Sequence, residues 1–214
     1  MLTLAVVGCA LWFVAVPRYR PGLRAGERYG VDVSGHQGDI DWHRARQDGI
    51  GFAYIKATEG GDFVDGRLTE NWQGSAAAGV DHGAYHFFTL CRSGADQAEN
   101  FLRAVPTDPQ ALPPAVDLEF VGNCSARPPR DDLLRELKVF IDRVEVATGR
   151  TVAVYVLDDF DARYGVSGSI DQPVWIRHFI LRPGTDDWLI WQVNGHSSVD
   201  GISGDVDLDV MKSP

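Results

Sequence analysis

Positive charge is scarce in this chain. Across 214 residues, 20 lysines and arginines face 30 acidic residues, for a formal net charge of −10, and Arg18, Arg20, Arg24 and Arg28 all fall within the first 30 residues. The remainder has no basic stripe with which to neutralise phosphates, which excludes nucleic acid as a partner. Several enzyme signatures are also missing: there is no Gly-x-Ser-x-Gly elbow, no P-loop and no dinucleotide fingerprint. His82 and His86 are four apart, but Gly83 stands where a zinc-binding helix would place Glu, and the segment reads as a strand. Neither a metal nor another cofactor is implied. No internal repeat, low-complexity tract or second domain is visible. Apolar content of 44% with 23% charge is that of a globular chain of single-domain size.

Long hydrophobic runs are absent as well. Leu2 to Val16 is a mostly apolar stretch of 15 residues ended by Pro17. As a helix it would span roughly 22 Å at about 1.5 Å per residue, short of the ~30 Å hydrocarbon core. Residues 1–17 therefore read as a signal peptide or short signal anchor, and 18–28 as a linker to a domain at 29–214. Arg18 and Arg20 follow the apolar stretch and no basic residue precedes it, which read alone would keep the domain in the cytoplasm. An upstream basic start would restore the export reading. With only three cysteines, a disulfide-rich scaffold is out of the question. Cys91 and Cys124 follow consecutive strands and should share one end of the fold. A disulfide between them fits export; two free thiols is the alternative.

What the chain does have is Pro114-Ala115-Val116-Asp117-Leu118-Glu119-Phe120, two carboxylates two apart in an apolar run. On a strand, i and i+2 face the same way. Charges in a buried strand are costly unless paired or used. Adjacent carboxyls also split each other's pKa, so one keeps its proton while the other ionises. An acid and a base or nucleophile are what glycosidic cleavage requires. Other strands are expected at about 30–33, 52–57, 80–88 and 151–157. Helices at about 41–48, 68–78, 94–104 and 130–148 alternate with them. After 151–157 the helices are expected to run out, and 173–176, 188–193 and 205–209 read as three closing strands with loops between. The expected fold is α/β: an irregular TIM-like barrel of about five βα units closed by three β-strands, its site at the C-terminal strand ends.

The order of Gly30–Gly38, Phe52–Gly60, Gly83–Phe88, Asp117-x-Glu119, Trp191-Gln192 and Gly204–Asp209 resembles the family 25 glycoside hydrolases, the Ch-type lysozymes or N-acetylmuramidases. The resemblance runs from about Tyr29 to Met211. It implies Glu119 as general acid and Asp117 as the partner facing the anomeric centre, with Asp32 and Asp207 flanking. Tyr85, Phe87, Tyr155, Trp175 and Trp191 are candidate ring-stacking contacts and Gln192 a partner for an acetamido group. His36 and Glu59 are candidates for the rim. One departure is Trp175-Ile176-Arg177-His178-Phe179, where the family usually has a small residue and an aromatic after Trp-Ile. The implied activity is that of an exported muramidase, monomeric, acting on peptidoglycan strands in the periplasm, the cell envelope or outside the cell. Any membrane contact would come through the N-terminal segment alone. A non-catalytic wall-binding barrel and a metal-dependent hydrolase are the competing readings.

Overall fold

The computed structural model describes residues 15–213. Eight strands close into a barrel: β1 (Glu27–Val33), β2 (Ile50–Glu59), β4 (Asp81–Phe87), β5 (Ala115–Leu118), β6 (Ala153–Val156), β7 (Val174–Arg177), β8 (Ile190–Ser197) and β9 (Val206–Lys212). The short β3 (Phe63–Val64) is a flap paired to β2, and β1 joins both β2 and β9 to seal the cylinder. Helices α1 (Trp42–Gln47), α2 (Leu68–Ala77), α3 (Gly94–Ala104), α4 (Arg130–Thr148) and α5 (Asp158–Tyr164) cover the outside. The expected α/β barrel is what forms.

Alternation along each strand separates two cores. Outward residues such as Val31, Ile55, Val116, Leu118, Val154, Trp191 and Leu208 pack beneath the helices. Inward residues Phe52, Tyr54, Ala115, Ala153, Tyr155, Trp175, Ile190 and Met211 fill the barrel. The outer seal depends most on α4, whose Leu133, Leu137, Phe140, Ile141 and Val144 recur at helical spacing and are buried. Each such side chain contributes about 1.5–3 kcal/mol of burial. Gly149 ends the helix in the left-handed region at φ 67°. Gly94 opens α3 so close to α4 that an added Cβ would lie 1.8 Å from the Glu136 carbonyl oxygen, so only glycine fits the crossing.

The structure adds to the expected plan in three places. The last strand runs against its neighbours: β9 is antiparallel to both β8 and β1. Only a short loop separates β8 from β9, whereas a parallel return needs about a dozen residues or more. The helices also do not run out after β6, since α5 follows it immediately. Residues 18–28 are docked rather than free: Arg20 Nη2 meets Asp48 Oδ2 at 2.7 Å, Arg182 grips Glu27, and β1 already begins at Glu27. The signal segment lies almost wholly outside the described residues. Among those described, no helix is long and apolar enough to cross a membrane.

Candidate active site

The strands deliver carboxyl groups to one mouth. Asp32 lies near the C-terminal end of β1, and its partner across the ladder is Asp207 near the start of β9. Because β9 is reversed, its N-terminal end arrives where the other strands finish. Two residues further along β9, on the same face, is Asp209, fully buried beside the register partners Gly30 and Gln192. On β5, Asp117 sits between Phe87 and Tyr155, and Glu119 follows just beyond the strand. Asp32, Tyr85, Asp117, Glu119, Tyr155, Trp175, Arg177, Gln192 and Asp207 line one cavity of about 210 Å³.

Hydrogen bonds fix its walls. The Tyr155 hydroxyl donates to Gln192 Oε1 at 2.8 Å, and Gln192 Nε2 donates to Asp32 Oδ2 at 2.9 Å. Trp175 Nε1 donates to Asp209 Oδ1 at 3.1 Å. Asp32 is hydrogen-bonded to both Asp207 and Asp209. Carboxyl-to-carboxyl bonds need a proton, and the buried Asp209 Oδ2 has no other donor. Asp117 Oδ1 is also buried without a partner. Asn123 holds the loop under Glu119, its Nδ2 donating to the carbonyls of Phe88 at 2.8 Å and Glu119 at 2.9 Å. Its Oδ1 accepts from Leu90 N at 2.9 Å.

Burial governs the protons. It pushes Glu119 up to about 7, opposed first by Arg177 and reinforced by Asp207. Burial likewise raises Asp207 to about 6, again against Arg177. Asp117 is held well above the carboxylate range by burial and by Glu119, with Lys56 as its main counterweight. Asp32 and Asp209 rise well above that range through burial and mutual repulsion with Asp207. Each member of the Asp117–Glu119 pair therefore has its own principal cation. Lys56 is fixed by Glu59 Oε2 at 2.7 Å and lies 4.9 Å from the centre of the Phe87 ring. A carboxyl poised near neutrality beside a second, buried one is suited to proton donation at an oxygen.

A model of the glycosyl hydrolases family 25 matches residues 31–202. The chain belongs to that family. It is 36% identical over 192 residues to an uncharacterized Escherichia coli K12 protein, YegX, covering 86% of this chain and 69% of that one. To the Streptomyces globisporus protein named Lysozyme M1 it is 31% identical over 196 residues, covering 83% of this chain and 65% of that one. A family 25 glycosyl hydrolase from Bacillus anthracis superposes with TM-score 0.81 at 35% identity, over 92% of this chain and 94% of that one. A bacterial lysozyme from Streptomyces coelicolor does so with TM-score 0.75 at 30% identity, over 87% and 92%.

In this glycoside hydrolase, most of the residues anticipated from sequence meet in the cavity. Phe87 does not line it; its ring supports Lys56 instead. Trp191 faces the outer core, donating to the His178 carbonyl at 2.7 Å. His36 stays in the turn after β1, 2.9 Å from Ser34 Oγ, and Glu59 is taken up by Lys56. His86 is a buried core residue between Thr58 and Gln97, its pKa pushed down to about 4 by burial. Cys91 and Cys124 are free thiols, yet their side chains are hydrogen-bonded to each other across the two loops. Asp209, Lys56 and Arg177 went unassigned in the sequence reading. Period-two alternation could have found them, from Asp207, Tyr54 and Trp175 respectively.

Proposed function

We propose that this family 25 hydrolase is an exported N-acetylmuramidase that cleaves the β-1,4 bond between N-acetylmuramic acid and N-acetylglucosamine. The observation that carries the reading is the pair at the end of β5: Asp117 and Glu119 line one slot, with Lys56 the main cation opposing Asp117 and Arg177 the main one opposing Glu119. Glu119 donates its proton to the departing glycosidic oxygen as positive charge builds at the anomeric carbon. Asp117, acting in the ionised form that Lys56 favours, then either attacks that carbon or accepts the acetamido N–H while the acetamido oxygen attacks. Its buried, unpartnered Oδ1 is free for either role, and both routes retain configuration. In the second half Glu119 takes a proton from the incoming water. Asp32, Asp207 and Gln192 hold the sugar, and the ionised form of Asp207 adds negative charge beside the pair. Tyr85, Tyr155 and Trp175 offer ring faces.

Relatives bearing lysozyme names support the peptidoglycan substrate, and such a substrate implies action outside the cytoplasm. All the residues that line the slot come from one chain, which supports a monomeric active unit. In an oxidising compartment Cys91 and Cys124 close into a disulfide beside the mouth. The deciding assay is turbidity loss on purified cell walls with a chelator present, followed by mass spectrometry of the fragments. Clearing should persist, with fragments ending in reducing muramic acid. Binding without clearing would make the barrel a wall-binding module, and loss of clearing in chelator would make it a metal hydrolase.

A further inference from the structure

The mouth that must accept an anionic wall polymer is itself crowded with carboxyl groups. One cation on its lining is in direct contact with none of them. Arg177, the last residue of β7, is exposed at the rim and its guanidinium forms no hydrogen bond and no ion pair among the described residues, although Glu119 and Asp207 line the same cavity. Lys56, by contrast, is spoken for by Glu59. Gly195 packs against both groups: an added Cβ would sit 3.0 Å from Asp207 Oδ1, closer than ordinary contact, and 3.8 Å from Arg177 Nη2, so the lack of a side chain there lets the carboxyl and the guanidinium keep their places at the cavity. A guanidinium presents a planar fork of donors that matches a carboxylate in two-point contact.

We propose that Arg177 is a specificity residue that binds a carboxylate of the substrate beside the scissile bond. This rests on the muramidase reading. Two carboxylates answer the description: the lactyl group of a muramic acid stripped of its peptide, and a carboxylate of the stem peptide. Arg177 also opposes the upward push on Glu119 and Asp207. Losing it would alter proton donation on every substrate alike. A ratio between substrates cancels that effect, and cancels any loss of folded protein too.

The test uses the full chain and three glycan preparations. One is peptide-free with lactyl carboxylates intact, one is the same with those carboxyls capped as methyl amides, and one is peptide-bearing. The parent should favour one carboxylate-bearing preparation over the capped one by about tenfold in kcat/KM, mainly through KM, the scale of a single two-point contact. Arg177→Gln should erase that preference, and Arg177→Lys should keep part of it. Preference for the peptide-free acid identifies the lactyl group; preference for the peptide-bearing strands alone identifies the stem. No preference in the parent, or a preference unchanged in Arg177→Gln, overturns the proposal and leaves the muramidase reading standing. If the parent cleaves none of the three, the muramidase reading falls and the proposal with it.

Discussion

Replacing Asp207 by Asn should stabilise the protein in alkaline solution and leave it unchanged in acid. The Asp207 carboxyl rises from 3.8 to about 6 because burial disfavours its charged form, against the pull of Arg177. A raised carboxyl pKa means the folded state holds its proton where the unfolded chain has released it. The associated stability is complete below about pH 4, is lost as pH rises through about 6, and is gone at pH 8. A shift of roughly two units corresponds to about 3 kcal/mol at ~1.4 kcal/mol per unit. For a domain of this size that is a melting difference of roughly 6–12 °C, at about 2–4 °C per kcal/mol. Asn is neutral throughout, and its amide can donate to Asp32 where the carboxylate could only accept. Thermal unfolding of parent and variant from pH 4 to pH 8 should start with coincident midpoints and then diverge, the variant higher. A gap that stays constant with pH, or a variant less stable at pH 8, would refute the burial argument.

Glu119→Gln keeps the shape of the side chain but removes the transferable proton. It should cost roughly 10²–10⁴ in turnover with wall binding retained; activity within about threefold of the parent would remove its role as acid. The β5 pair implies retention, since neighbouring strand positions favour the ~5 Å carboxyl separation over ~6.5–9.5 Å, so NMR of early product should detect the β-anomer first. Lys56→Met should move the acid limb of the kcat/KM profile to higher pH, because Asp117 loses the cation that most favours its ionised form; an unmoved limb would show that Lys56 does not govern it. Protein recovered from an oxidising compartment should resist alkylation at Cys91 and Cys124 until reduced, as read by intact mass. The bridge closes a loop of about 34 residues, worth roughly 3–4 kcal/mol in the loop-entropy account.

Much of the barrel was legible because its strands carry two kinds of information. Apolar alternation gave their positions, and the polar residue interrupting it gave the inward face: Asp32, Asp117 and Gln192 all point where alternation puts them. Strand direction is not written that way. Nothing in Val206–Lys212 distinguishes parallel from antiparallel pairing, and only the brevity of the loop before it carries that signal. Trp191 and Gln192 were both considered for the slot, although adjacent residues on a strand face opposite ways and only one could enter. Asp209 was overlooked because its role lies in contacts to Asp32 and Trp175, which are remote in sequence. Lys56 and Phe87 form a single contact across β2 and β4, and neither residue's purpose can be read without the other.

Asn123 separates where the acid stands from whether it is charged. Its four bonds to Phe88, Leu90, Glu119 and Cys124 join a neutral amide to neutral backbone groups. Dissolved ions do not screen such bonds as they screen exposed charge pairs, and no change of pH within the working range titrates them. Salt and acidity can therefore alter the occupancy of the proton on Glu119, and the attraction of Arg177 for a passing anion, while the loop that carries the carboxyl stays in register with the strand beside it. Geometry is kept constant and only the chemistry follows the medium.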